Sequence, residues 1–425
     1  VLHDGDEGVT LVVRDVKAKR SKTLAEVDAA SRSPVHVFYG GADRYGADTS
    51  AKAGRIALAT LSTYAPNVKA FEEIFGIDGS PAGAIYDATK AKLAAEPVED
   101  LRIDFEDGYG FRTDAEEDAD AVRTANELAE TLRTGSITPF SGFRVKAYSA
   151  ETRGRSKRTL EIFLATLLKA TNGKLPDNFA VTLPKVTAKK EVGSFCRDLK
   201  RIERKSGLKH DSIKIEIMIE HPLAIIDRKG NIALRGLIEA AEGRCVAAHF
   251  GAYDHTASLG IAPSYQDISH PACDFARQMM LLSLMPLGIR LSDSVTPQMP
   301  VAIHRGEKLS AAQIAENKAS VHAGLRIHFR NITRSMSQGF YQSWDLHPNQ
   351  LIARYAAVYA FFLKTLDEQA ARLRSFVEKA TQATLTGNAF DDAATAMGIV
   401  NFLRQGLDCG ALSEAQIKKA TGLTA

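Results

Sequence analysis

Two carboxylates stand where they could do chemistry. Glu220 closes the apolar run of KIEIMIEHPLAIID (Lys214 to Asp227), and Asp254 lies just past that of RCVAAHFGAYDHTASLG (Arg244 to Gly260). Each run is aliphatic and β-branched, reads as a fully buried strand, and stops abruptly at its acid. About 34 residues separate the acids, room for one strand–helix–strand unit, so parallel pairing of the two strands would bring both to the same end of a sheet. Two hard oxygen ligands on one rim, with space for waters and a substrate, suit Mg²⁺ or Mn²⁺ better than zinc, which favours His and Cys. The competing reading makes both residues helix N-caps or solvated loop acids.

The elements that must position these acids recur along the chain. Residues 1–33 read as an N-terminal extension, with a helical pattern around Thr23 to Ala30 and a basic cluster, Arg14 to Lys22, taken as a solvated helix face. PVHVFYGGADRYG alternates as a strand and runs into a Gly-rich loop carrying Asp43 and Arg44. A helical insert of about 52–98, read as a pair of helices, follows. Strands then alternate with helices: LRIDFEDGYG, GFRVKAYS, FAVTLPKV, the two opening runs, GIRLSDSV and QGFYQSWDLHPNQ. Eight strands, most separated by a helix, predict an α/β fold of the (β/α)₈ barrel type over residues 34–365, with a helical extension over 366–425. A doubly wound open sheet is the alternative, but no GxGxxG turn follows the first strand.

Composition restricts the function classes. The 425 residues are 45% apolar and 25% charged, as in a globular protein, with a net charge of only +3 and interspersed signs, so neither nucleic acid nor a membrane surface is an expected partner. The four cysteines are scattered without metal-ligand spacing, which fits a reducing, cytoplasmic setting. There is no apolar run near 18 residues and no charged-then-apolar leader, although a chain opening on Val1 leaves a removed leader open.

In a barrel of this kind chemistry sits at the C-terminal strand ends, which here carry Asp104, Glu106, Asp107, Arg144, Lys185, Glu220, Asp254, Asp293 and His347. Any of these could be structural; Asp104, inside a strand, could be a buried hydrogen-bond acceptor. The succession DFEDGYG, FRVKAYS, TLPKV, IEIMIEHP, HFGAYDHTASLG and LHPNQ resembles the HpcH/HpaI aldolase and citrate lyase β-subunit superfamily, over about Val35 to Gln350. The resemblance implies a (β/α)₈ barrel that uses a divalent metal to make or break a carbon–carbon bond beside a carboxylate or thioester, assembled as a trimer or hexamer. By position it implies Glu220 and Asp254 as metal ligands, Arg144 as the holder of the substrate carboxylate or enolate oxygen, and Glu106 and Asp107 as the acidic pair near the metal's waters. The loop with Asp43 and Arg44 resembles the family's first substrate-contacting loop, and Lys185, which falls in its proline–lysine motif, is expected with them to bind substrate.

The chain also departs from the pattern. His221 stands where the family usually has Thr, and Lys146 where it usually has Asn. The C-terminal DDAAT is faintly similar to the lid acid of malyl-thioester lyases and malate synthases, which would make Asp391 or Asp392 a general acid/base supplied by a neighbouring subunit; N-capping of the last helix is the structural alternative. His249 and His255, flanking the second ligand motif, are expected to be core histidines rather than bases. The expectation is thus a Mg²⁺-dependent carbon–carbon lyase acting on a small hydroxy-acid or its coenzyme A thioester. The alternatives are a malate-synthase-like condensing enzyme and a non-catalytic metabolite-binding or assembly subunit.

Overall fold

The computed structural model describes residues 2–5, 8–15, 20–23, 32–79, 81–382 and 393–422. Three short strands come first: β1 (Leu2–Gly5), β2 (Gly8–Asp15) and β3 (Arg20–Thr23), paired antiparallel in the order β1-β2-β3. The basic cluster expected on a helix face therefore spans the end of β2 and the start of β3, because the alternating, β-branched GVTLVVRD favours a strand. The helix expected around Thr23 to Ala30 lies outside the described residues, apart from Thr23, which ends β3.

Eight parallel strands close a barrel in sequential order: β4 (His36–Gly41), β5 (Asp100–Asp104), β6 (Phe140–Arg144), β7 (Phe179–Leu183), β8 (Lys214–Ile219), β9 (Cys245–Phe250), β10 (Arg290–Val295) and β11 (Gln342–Asp345), which returns to β4. The insert after β4 is three helices rather than two: α1 (Thr49–Tyr64), α2 (Val68–Phe75) and α3 (Ala82–Ala95). Asn67 caps α2 by accepting from the Ala70 N–H, and Gly76 ends it in the left-handed region, so a separate two-turn helix forms between the breakers. The other crossovers are α4 (Asp114–Thr134), α5 (Arg153–Ala170), α6 (Lys189–Ser206), the short pair α7 (Pro222–Ile225) and α8 (Leu234–Ala240), then α9 (Ala252–Ser258) with α10 (Pro271–Leu284), and α11 (Ala311–Ser337). After the barrel come α12 (Gln350–Leu363), α13 (Leu366–Gln382), α14 (Ala393–Asp408) and α15 (Glu414–Thr421). None of the helices is long and apolar enough, among the described residues, to cross a membrane.

Two cores result from the alternation of strand side chains. The large outer core packs the barrel's outward faces against the helices, and includes Phe143, Phe163, Ile215, Ile217 and Phe250. Inside the barrel the apolar layer is small: Val37, Tyr39, Met218, Val295 and Trp344. Below it lies a charged layer. Arg102 donates to Glu216 at 3.0 and 2.7 Å and pairs with Asp100, while Gln342 donates to Asp100 at 3.2 Å and Thr182 to Glu216 at 3.1 Å. Arg102, Asp100 and Glu216 are fully buried. The Arg102 guanidinium helps hold the Glu216 carboxyl well below its ordinary range, against the burial that alone would raise it. Asp100 shifts upward, because burial, aided by the nearby Glu216 charge, outweighs the opposing Arg102 charge.

Strand alternation also corrects two expected rim residues. Asp293 points outward from β10 to Arg277 at 3.2 Å and Ser335, away from the barrel interior. His347 lies beyond β11, where its Nδ1 accepts from the Asn349 N–H at 3.1 Å. Because removing Arg102 takes the nearest cation from two buried acids, Arg102→Ala is expected to cost about 3–5 kcal/mol of unfolding free energy. Chemical denaturation checks this, with Arg133→Ala in the exposed Glu130–Arg133 pair expected to leave the midpoint unchanged.

Candidate functional site

The C-terminal rim is organised by Asp104, the last residue of β5. Its carboxylate accepts from the backbone of Glu106 at 2.9 Å and of Gly108 at 2.7 Å, folding the DFEDG turn back over the strand end. It also accepts two hydrogen bonds from Arg144 at the end of β6, from Nε at 2.7 Å and Nη2 at 2.5 Å. This fork-to-carboxylate pairing fixes the guanidinium plane. The Tyr39 ring, 4.9 Å from the guanidinium carbon, and the Met218 sulfur, 3.6 Å from Nη1, pack against it. Nη1 is turned toward Glu106 at 3.4 Å and Asp107 at 3.7 Å. Arg144 is 4% exposed and its charge is stabilised, because Asp104 and Glu106 overcome the cost of burial.

Glu220, one residue past β8, is 2% exposed and accepts from the Lys185 backbone N–H at 2.6 Å. Gly251 leaves it room: a Cβ there would lie 2.5 Å from the Glu220 Cβ and 2.6 Å from Oε2. Burial first, and the Asp254 charge second, push the Glu220 carboxyl up to about 8. Asp254 sits in the first turn of α9, so the two acids do come to one end of the barrel. Lys185 links them to the Glu106–Asp107 pair, its Nζ lying 2.6 Å from Glu106, 2.7 Å from Asp107 and 3.9 Å from Asp254. Within that pair, burial and the neighbouring Asp107 raise Glu106 to about 7, whereas Asp107 is lowered: burial opposes its charge, but the Glu106 hydrogen bond and the Arg144 and Lys185 cations prevail. The more deeply placed Glu106 takes the proton and the half-exposed Asp107 the charge.

The donor set fits a hard divalent cation. The Asp254 charge lies close enough to Glu220 to raise the cost of ionising it, and both offer hard carboxylate oxygens. Among the described residues no three His, Cys, Asp or Glu side chains converge as ligands, which is not the closed cage of a structural zinc.

The remaining expected residues fall in several places. Asp43 and Arg44 occupy a single 3-10 turn after β4, beside the same loop: Arg44 reaches the Gly108 carbonyl at 3.5 Å and Asp43 faces Arg112 at 3.4 Å. They brace the loop that carries Glu106 and Asp107. Lys146 points away, bonding the Phe105 carbonyl and Glu117, both at 2.7 Å, so it braces the loop. His221 caps α7 by accepting from the Leu223 N–H at 3.1 Å. His255 is buried and lowered to about 4 by burial, hence neutral. His249 lies in the barrel interior, 3.3 Å from the Tyr39 hydroxyl and 3.4 Å from Glu216. Asp391 and Asp392 lie outside the described residues.

Sequence reasoning missed Tyr39, Met218 and the interior charges below them. Their signal was present as the alternation Asp100, Arg102, Asp104 and Glu216, Met218, Glu220, charged or polarisable residues at every second position of otherwise apolar strands.

Comparison with known proteins bears on the fold. A family model described as domain of unknown function (DUF6986) matches residues 15–425. No curated protein matches the sequence. A citrate lyase from Burkholderia xenovorans LB400 superposes with a TM-score of 0.56 at 17% identity, over 93% of this chain and 98% of that one. A malate synthase from Haloferax volcanii, in a lead(II) complex, gives 0.48 at 13% identity, over 88% and 90%. Its magnesium/glyoxylate complex gives 0.48 at 14%, over 86% and 80%. The barrel implied by the superfamily resemblance is the barrel found, and the citrate lyase shares it.

The raised carboxyls have a thermodynamic consequence. A carboxyl raised in the folded state contributes stability that is complete below its unfolded value and is lost as pH rises through the folded one, about 7 for Glu106 and about 8 for Glu220. With a chelator present, the contribution of these groups to the unfolding temperature should therefore fall between about pH 4.5 and about pH 8, and Glu220→Gln should flatten that fall. A Gln variant as steep as the wild type in differential scanning calorimetry would remove Glu220 as its source.

Proposed function

The chain belongs to the family described as domain of unknown function DUF6986, and from that premise and the rim geometry we propose a divalent-cation-dependent lyase. It breaks a carbon–carbon bond beside the carboxylate of a small hydroxy-acid or of its coenzyme A thioester. The observation that carries this reading is one buried, oriented guanidinium facing the Glu106–Asp107 pair, whose proton affinities are split, beside a buried Glu220 whose carboxyl is raised. The citrate lyase that shares the barrel is named for a reaction of this class, which agrees with it.

Glu220 and Asp254 are the residues that would hold Mg²⁺ or Mn²⁺. When bound, such an ion supplies a Lewis acid for the substrate's carboxylate and the adjacent oxygen. Arg144 has its Nε edge committed to Asp104, so its Nη1 side is the part left to receive a substrate carboxylate or the oxygen that becomes an enolate. A guanidinium held before the reaction begins stabilises negative charge as it develops, without reorganising. Asp107, charged and half exposed, is placed to accept the hydroxyl proton that must leave for the carbonyl to form. Glu106, with a pKa near neutrality, is placed to return a proton to the carbon of the departing enolate. Asp43 and Arg44 are assigned to the distal part of the substrate. A homo-oligomer, trimeric or hexameric, in which Asp391 or Asp392 of one subunit serves its neighbour, belongs to the same proposal.

The test is turnover of a panel of short hydroxy-acids and their coenzyme A thioesters with Mg²⁺, read as release of a carbonyl product. Arg144→Lys should lower kcat by roughly a hundredfold to a thousandfold, with a smaller change in KM. Glu220→Gln and Asp254→Asn should lose both turnover and Mg²⁺ binding by calorimetry. Tight binding of keto-acids with no cleavage of any panel member would make the barrel a metabolite-binding subunit instead. Formation of a condensation product from a thioester and glyoxylate would make it a synthase.

A further inference from the structure

One residue touches all four rim acids. Lys185, just past β7, gives its backbone N–H to Glu220 at 2.6 Å, while its ammonium lies 2.6 Å from Glu106, 2.7 Å from Asp107 and 3.9 Å from Asp254. Its backbone is left-handed, with φ 52°, a conformation that a residue with a side chain adopts only when its surroundings require it. The bend at Lys185 lets its amide reach Glu220 while its ammonium reaches the other three acids. The preceding Pro184 and the strand end above Leu183 fix where it occurs.

An ammonium is a compact charge with three donors, able to neutralise several oxygens at once in the way a metal ion does. Lys185 also has room to leave, since its side chain is 33% exposed on a flexible stem, whereas the Arg144 side chain is 5% exposed and bound edge-on to Asp104. Of the two cations at this rim, one is fixed and the other can be exchanged. A divalent ion on Glu220 and Asp254 would compete with the ammonium for Asp254 and repel it from the Glu106–Asp107 side.

We propose that Lys185 is a resident counter-ion: it neutralises the rim acids while the site holds no divalent cation, and swings toward solvent when one binds, so that cation uptake and lysine release are a single exchange. This rests on the reading of Glu220 and Asp254 as ligands. The exchange keeps the cation-free rim folded, and it weakens the intrinsic affinity for divalent ions by the free energy of the lysine contacts that must be given up. It also excludes monovalent ions, which cannot displace an ammonium held by two close carboxylates.

The test is Mn²⁺ binding by isothermal titration, with free Mn²⁺ followed by electron paramagnetic resonance, for the wild type, K185M, K185G and K185R. Glycine adopts the left-handed backbone without strain, so K185G keeps the amide contact to Glu220 while removing the ammonium. K185M and K185G should each bind Mn²⁺ about tenfold more tightly than the wild type, and K185R about as the wild type does. Without Mn²⁺ both neutral variants should melt below the wild type, and saturating Mn²⁺ should raise their melting temperatures by more than it raises that of the wild type. Unchanged or weaker Mn²⁺ binding in both neutral variants, with wild-type binding abolished by D254N, would overturn the exchange while leaving the ligand assignment standing. Absence of Mn²⁺ uptake by the wild type and every variant would overturn the ligand assignment, and the exchange with it.

Discussion

Four carboxylates crowded onto one end of a barrel cannot all carry charge unless positive charge is brought among them. That constraint organises the rim of this protein. Glu106, Asp107, Glu220 and Asp254 are gathered by three different connections, yet among the described residues only Arg144 and Lys185 enter the cluster from the cation side. The deficit is met by protonation: Glu106 and Glu220, the deeper member of each pair, are raised to near neutrality or above, while Asp107 stays charged. A site balanced in this way holds acid and base forms side by side at one pH. That is the condition general acid–base chemistry needs.

The barrel interior is built to keep that balance in place. Beneath the rim, Tyr39, Met218 and Trp344 form a thin apolar layer that shields Arg144 from below, and Tyr39 and Trp344 pack with ring centroids 5.1 Å apart. Beneath that layer the Asp100–Arg102–Glu216 group closes its charges on itself, with His249 bridging to Tyr39. Filling a barrel with ion pairs does not make it more stable than packed hydrocarbon would, since each charge must first be desolvated. Its effect here is geometric: Glu216 of β8 is held by hydrogen bonds from Arg102 of β5 and lies 3.4 Å from His249 of β9, which ties side chains of the three strands to one another beneath the rim.

Much of the architecture could be read from the chain because period and length are local properties. Apolar runs of five or six residues alternating with amphipathic stretches lead to a parallel sheet with helical crossovers, as α6 (Lys189–Ser206) between β7 and β8 illustrates. What local pattern could not reveal was which side of a strand a polar residue takes when both sides are buried. Asp293 and Asp104 are both acids within apolar strands, yet one turns out to the helices and the other in toward Arg144. The number of helices after β4 escaped for a related reason, since a two-turn helix between breakers is decided by caps and by burial of Phe71, Ile74 and Phe75 rather than by periodicity.

The sequence by itself determined the barrel, the order of its strands, and the inventory of acids and cations at the strand ends, because composition and periodicity act residue by residue along the chain. Only the tertiary structure decided which of these meet. It turned Lys146 and His221 to structural duties, set Asp104 as the anchor of Arg144, and carried one lysine through a left-handed backbone into contact with four carboxylates. The physical reason is that charge interactions depend on distance and burial in space. Neither exists until the eighth strand closes against the first.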